Sequence, residues 1–172
     1  MNNPFVFFGL VPSINIDRKV LRQIFLTIQR SAHPNIIGVD SISETKASMA
    51  NAHYESLHTD EGLVAAYMLA MGFENINQNV LPEDFLMEMM DLNDEITKLG
   101  TNKGAPQFDF QPPPIPKPIP ELLLIAAEKE SEEVLDRLKS QVIPNRIDLL
   151  VWFQKHKYLS RLRKNFECIE EI

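Results

Sequence analysis

A chain of 172 residues can build one good core or two small ones, and 44% hydrophobic with 24% charged side chains is an ordinary globular composition. The formal net charge of −7 argues against nonspecific nucleic-acid binding as the main activity. The longest apolar run, near Val64 to Met71, is far short of a bilayer span, and Met1-Asn2-Asn3-Pro4 puts no positive charge ahead of its few apolar residues. The expectation is a cytoplasmic protein with no membrane segment. Cys168 is alone, which excludes an intrachain disulfide and a cysteine-based zinc site within one chain.

The charge is unevenly spread. Residues 1–35 carry four basic side chains, Arg18, Lys19, Arg22 and Arg30, against Asp17 alone, whereas residues 36–100 carry two basic against twelve acidic. A basic helix on an acidic protein is either a docking face for an acidic partner or an ordinary solvated surface.

Pro4 to Val11 is compact and apolar, and Phe5, Phe8 and Leu10 predict a short packed turn punctuated by Gly9. Asp17 is placed to cap a helix running to Ala32, in which Leu21, Ile24, Phe25 and Ile28 form one buried stripe with Lys19, Arg22 and Arg30 off it. Pro34 has no backbone N–H and pushes His33 out of the α region, so this helix must stop at Ser31-Ala32-His33-Pro34-Asn35. Ser41-Ile42-Ser43-Glu44 has capping-box spacing and opens a helix with Ala47, Ala50, Tyr54 and Leu57 inward. Thr59-Asp60 breaks that pattern and caps a short apolar helix to Met71, stopped by Gly72. The polar stretch from Glu74 to Asn79 is the best domain boundary, giving domains at 1–73 and 82–172 with a linker at 74–81.

Pro82, Glu83 and Asp84 suit the first turn of the next helix. There Phe85, Met89, Leu92, Ile96 and Leu99 make a core seam, leaving Leu86, Met87 and Met90 as large apolar residues off it. Either another helix covers these three, or they form an exposed patch whose adaptable methionines suit gripping a protein. Seven prolines fall between Gly100 and Pro120, so 105–120 reads as a stiff polyproline II connector, although Pro113 and Pro116 also make a PxxP that an aromatic groove could bind. Glu121 to Val142 is helical with Ala127, Val134, Leu138 and Val142 along one side, and Pro144 ends it. The last helix starts at Asn145 or Arg146, with Trp152, Leu159, Leu162, Phe166 and Ile169 as its seam and Tyr158 beside it. No segment alternates as a strand does. The fold class expected is all-α, a helical hairpin with short helices followed by a three-helix bundle.

Catalysis finds no foothold. His33, His53, His58 and His156 have no ligand spacing, and there is no nucleophile elbow, glycine-rich dinucleotide turn or zinc-protease signature. Neither enzymatic activity nor a bound metal or cofactor is expected.

At the helix stop the chain resembles the HscB-type J-protein co-chaperones of iron–sulfur cluster assembly. Phe7-Phe8-Gly9-Leu10, Ile28-Gln29-Arg30 and His33-Pro34 are similar to that family's opening turn, helix and J motif. Asn51, Tyr54 and Leu57 match its next helix, and Leu69 to Gly72 the end of its J domain. Phe85-Leu86-Met87-Glu88 with Leu92 is similar to its scaffold-binding helix, and Tyr158-Leu159, Leu162-Arg163 and the acidic ending Glu167 to Glu171 to its last helix. The likeness fails only from Gly100 to about Glu130. It implies an adaptor without nucleic-acid or membrane partners. The J domain would meet a DnaK- or HscA-type ATPase chaperone through His33, Pro34, Asn35, Arg18, Lys19, Arg22 and Arg30. The bundle would hold an IscU-like scaffold protein through Leu86, Met87, Met90, Asp91 and Tyr158. One departure bears on activity: the family carries His-Pro-Asp, and here the third residue is Asn35, followed by Ile36 where Lys is usual. Asparagine keeps the shape and loses the charge, so ATPase stimulation is expected to be weakened, or absent in a protein-binding module that merely descends from J domains.

Overall fold

The computed structural model describes residues 3–31, 41–76, 80–102 and 120–170. These form seven helices in two compact units, residues 1–76 and 77–172. Among the described residues no strand is present, and no helix is long and apolar enough to cross a membrane.

In the first unit, α1 (Pro4–Phe7), α2 (Arg18–Ser31), α3 (Ser41–His58) and α4 (Asp60–Ala70) are set by local chemistry at their ends. Asn3 caps α1 by accepting from Phe5 N at 3.0 Å, and the expected turn is this one-turn helix with Phe5 and Phe8 buried against α3. Asp17 caps α2, its Oδ1 accepting from Lys19 N at 2.8 Å. Thr59 caps α4 in the same way through Gly62 N at 3.1 Å. Gly72 ends α4 at φ +74°, where its N–H reaches Leu69 O at 3.1 Å and Phe73 N reaches Met68 O at 2.9 Å. That paired closure needs a left-handed residue, so glycine is the fit.

The hairpin closes on α3. Ala50 and Leu57 are buried as expected, and α2 buries Leu21 fully but leaves Ile24, Phe25 and Ile28 half-covered, with α3 its main packing partner among the described helices. Gln29 pins the two helices near their tip, its Nε2 donating to Ala47 O at 3.1 Å and to Asn51 Oδ1 at 2.8 Å. Phe25 stacks on Tyr54 at 4.3 Å, and Tyr54 on His58 at 5.3 Å.

The α3–α4 corner is so tight that a β-carbon at Gly62 would overlap the Ser56 carbonyl oxygen. Alanine is preferred over glycine in a helix by about 1 kcal/mol, but overpacking against backbone costs about 1–3 kcal/mol. Gly62→Ala is therefore expected to lower the melting temperature of the first unit, followed by circular dichroism. A variant that melts at or above wild type would show that the corner has room.

In the second unit, α5 (Glu83–Asn102), α6 (Pro120–Lys139) and α7 (Arg146–Glu170) pack pairwise around Met89, Leu92, Ile96, Leu124, Leu159, Leu162 and Phe166. Phe85, Ala127, Tyr158 and Ile169 pack against that cluster from its edge. Trp152 is buried and donates its indole N–H to Ser131 O at 2.9 Å, tying α7 to α6. Lower on the same pair, the Arg163 guanidinium grips both carboxylate oxygens of Glu128. This bond raises the Arg163 pKa, burial opposes it, and the charges of Glu128, Glu167 and Glu121 add to the rise.

Three expectations need correcting here. The helix read as 121–142 ends at Lys139, and Val142 lies beyond it, wholly exposed. The stripe of α6 is Leu124, Ser131, Leu135 and Leu138, with Ala127 and Val134 only half-buried at its side. Leu99, placed on the α5 seam, is exposed.

Candidate protein-binding surfaces

The methionine patch follows from helix geometry. Residues three and four apart share a helix face. With Met89, Leu92 and Ile96 turned into the bundle, Met87 and Met90 must point outward, and they are 66% and 61% exposed. Asp91 beside them is exposed, and Leu86 is half-buried at the edge of the same face. Of the two sequence readings, the open patch therefore holds for both methionines, and Leu86 is only partly surplus to the core. Tyr158 is half-buried on α7 and meets the Phe85 ring edge-on at 6.1 Å, next in sequence to Leu86. Lys155 places its ammonium 4.7 Å from the centre of that ring. Phe85 is thus fixed by tyrosine and lysine, which sets the floor beside a patch whose own side chains stay free to adapt.

On α2, Lys19, Arg22 and Arg30 are exposed on the side away from α3. Leu26, 38% exposed, falls between Arg22 and Arg30 at helical spacing and turns the strip into a cationic face with an apolar centre. The i, i+4, i+8 spacing of Arg22, Leu26 and Arg30 was visible in the sequence and is the signal by which Leu26 could have been found. Arg18 behaves differently. Its guanidinium donates to the carbonyl oxygens of Leu57 and His58 and to Asp60 Oδ1 at 2.7 Å. It therefore closes the C-terminus of α3, where a cation suits the helix dipole, and pairs with the first residue of α4. His33, Pro34 and Asn35 lie outside the described residues, as do Ile36 and the proline-rich 105–119.

Removing the Arg18 side chain leaves two end-of-helix carbonyls to water and takes one cation away from the Asp60 carboxylate. The pair is partly solvated, with side-chain exposures of 37% and 41%, so screening reduces its worth. Arg18→Ala is expected to cost about 1–2 kcal/mol, or about 4–8 °C of melting temperature per kcal/mol in a unit this small. Calorimetry of the full chain reads this. An unchanged first transition would mean that the guanidinium contacts contribute nothing.

Among the described residues no group of three or more His, Cys, Asp or Glu could hold a metal ion. The histidines of that set meet aromatic rings, His53 that of Phe7 at 4.8 Å and His156 that of Trp152 at 4.9 Å.

A helical hairpin with a cationic outer face is followed in the chain by a three-helix bundle with exposed methionines on one face. The chain is 25% identical over 162 residues to the co-chaperone protein HscB of Buchnera aphidicola from Acyrthosiphon pisum, covering 90% of this chain and 91% of the relative. Its fold matches the chaperone HscB from Vibrio cholerae with a TM-score of 0.66 at 21% identity, over 99% of this chain and 98% of that one. It matches the human co-chaperone HscB with a TM-score of 0.69 at 15% identity, over 98% and 82%. No protein-family model matches the chain. The sequence likeness supports an HscB-type co-chaperone, and the two structures show the same all-helical fold, in agreement with the resemblance seen in the residues.

Proposed function

We propose that the chain is a cytoplasmic adaptor, itself without enzymatic activity, that holds an IscU-like iron–sulfur scaffold protein on its second unit and presents it to a DnaK- or HscA-type ATPase chaperone that meets the first. The observation that carries this reading is the open pair Met87 and Met90 on a helix whose opposite face is sealed in the core. Large apolar side chains held in water cost free energy that only a partner recovers. Leu86, Asp91 and Tyr158 would frame that contact. On the first unit, Lys19, Arg22 and Arg30 would steer an acidic face of the chaperone toward the His33-Pro34-Asn35 loop, with Arg18 holding the hairpin that presents them. The domain division 1–73, 74–81 and 82–172 suits two separate tasks.

Asn35 favours a second reading, in which the chain holds its partner without stimulating the chaperone. Single-turnover ATP hydrolysis by the chaperone separates the two. Acceleration by wild type that His33→Gln abolishes supports the adaptor, whereas no acceleration by wild type together with a gain from Asn35→Asp supports the holding module.

A further inference from the structure

The second unit has a groove on the other flank of α5, about half a turn round that helix from Leu86. Two neighbouring clefts of about 370 Å³ and about 560 Å³ share the wall residues Glu88, Met89, Ala127 and Glu130 and follow one another along α6 as one groove. Leu123, Ala127, Glu130, Val134 and Arg137 recur along its α6 wall at threes and fours, a ridge roughly 20 Å long at 1.5 Å per residue. The floor toward Pro120 is apolar, with Met89, Leu92, Leu123 and Ala126. Every charged residue around that end is a carboxylate, namely Glu88, Asp91, Glu95 and Glu130. Toward α7 the charge is mixed, where Arg137, Lys155 and Asp148 join the wall. There Ser131, 8% exposed, keeps a buried hydroxyl with no hydrogen-bond partner among the described residues.

We propose that this groove is a second protein-docking site, distinct from the methionine patch, and that it takes a cationic amphipathic helix of a partner protein. The apolar floor calls for an apolar stripe, and the carboxylate rims call for Lys or Arg on both sides of it. The ridge length matches about four helical turns. The change from carboxylates alone to mixed charge along the wall sets direction, with the cation-rich end of the occupant toward Pro120 and its end of mixed charge over Arg137, Asp148 and Lys155. The inference does not depend on scaffold binding, since the two surfaces share only Asp91.

The test uses the full chain and a labelled, amidated peptide of about 14 residues with Leu and Lys at helical spacing, beside its Leu and Glu counterpart. Fluorescence anisotropy is read at about 0.15 M and about 1 M salt, where screening lengths differ between about 8 Å and 3 Å. Variants are Glu88→Lys with Glu130→Lys and, separately, Met87→Ala with Met90→Ala, each first shown to keep wild-type helix content and melting. The cationic peptide should bind and the acidic one should not; reversing Glu88 and Glu130 should weaken binding about tenfold or more, and the methionine pair should change it less than about twofold. Four results would overturn the proposal: affinity unmoved by charge reversal, loss confined to the methionine variant, no binding of the cationic peptide, or self-association of the chain showing that a second copy fills the groove.

Discussion

Replacing Leu86, Met87 and Met90 together by alanine should weaken binding of an IscU-like scaffold by about a hundredfold or more while leaving helix content unchanged. Each truncation removes apolar surface that complex formation would cover, at about 25 cal/mol per Å². Three such losses, allowing for incomplete additivity, come to about 3–4 kcal/mol, or two to three decades in affinity. The fold has little at stake in this exchange. Met87 and Met90 are mostly in water, alanine is the better helix former, and only half-buried Leu86 gives up some packing. Met89 provides the contrast: it sits in the core at 6% exposure, and its alanine variant should lose about 2–5 kcal/mol of stability. Isothermal titration of the triple variant decides the matter. Affinity within a few-fold of wild type would remove the patch from the scaffold interface.

The second large effect concerns Asn35. An aspartate there would give a cation on the chaperone a charged acceptor, and a charge-assisted hydrogen bond has roughly twice the strength of a neutral one. A cation left without its partner at an interface can lose about 2–5 kcal/mol. Asn35→Asp is therefore expected to increase chaperone ATPase stimulation by a factor of tens to thousands at limiting concentration, through a lower half-maximal concentration. His33→Gln in the same background should remove the gain. Equal stimulation by wild type and Asn35→Asp would mean that the chaperone does not read a charge at this position.

Much of the architecture was legible because it rests on local chemistry. Asp17, Thr59 and Gly72 announce helix ends through hydrogen bonds made within four or five residues, and such ends are visible in any chain. The α5 seam was legible because α6 and α7 both press on one side of it, leaving Met87 and Met90 opposite. The α6 stripe was misread because Ser131 occupies a core position. With a polar residue at its centre the true stripe looked broken, while Ala127, Val134, Leu138 and Val142 also kept a helical spacing and looked whole. Periodicity fixes a period and not a phase. Arg18 shows the other limit. A cation at a helix start looks the same in sequence whether it faces a partner or the end of its own α3, 40 residues away. The groove along α6 was invisible for the same reason, since its walls come from three helices.

Hydrogen exchange of the chain alone, with the scaffold, and with the ATP-bound chaperone tests most directly that two separate faces serve two partners. The scaffold should slow exchange through residues 84–92 and around Tyr158 and leave α2 unchanged, while the chaperone should slow it from residue 18 to the helix stop and leave α5 unchanged. Slowing of the same stretch by both partners, or no effect of the scaffold on residues 84–92, would contradict the account.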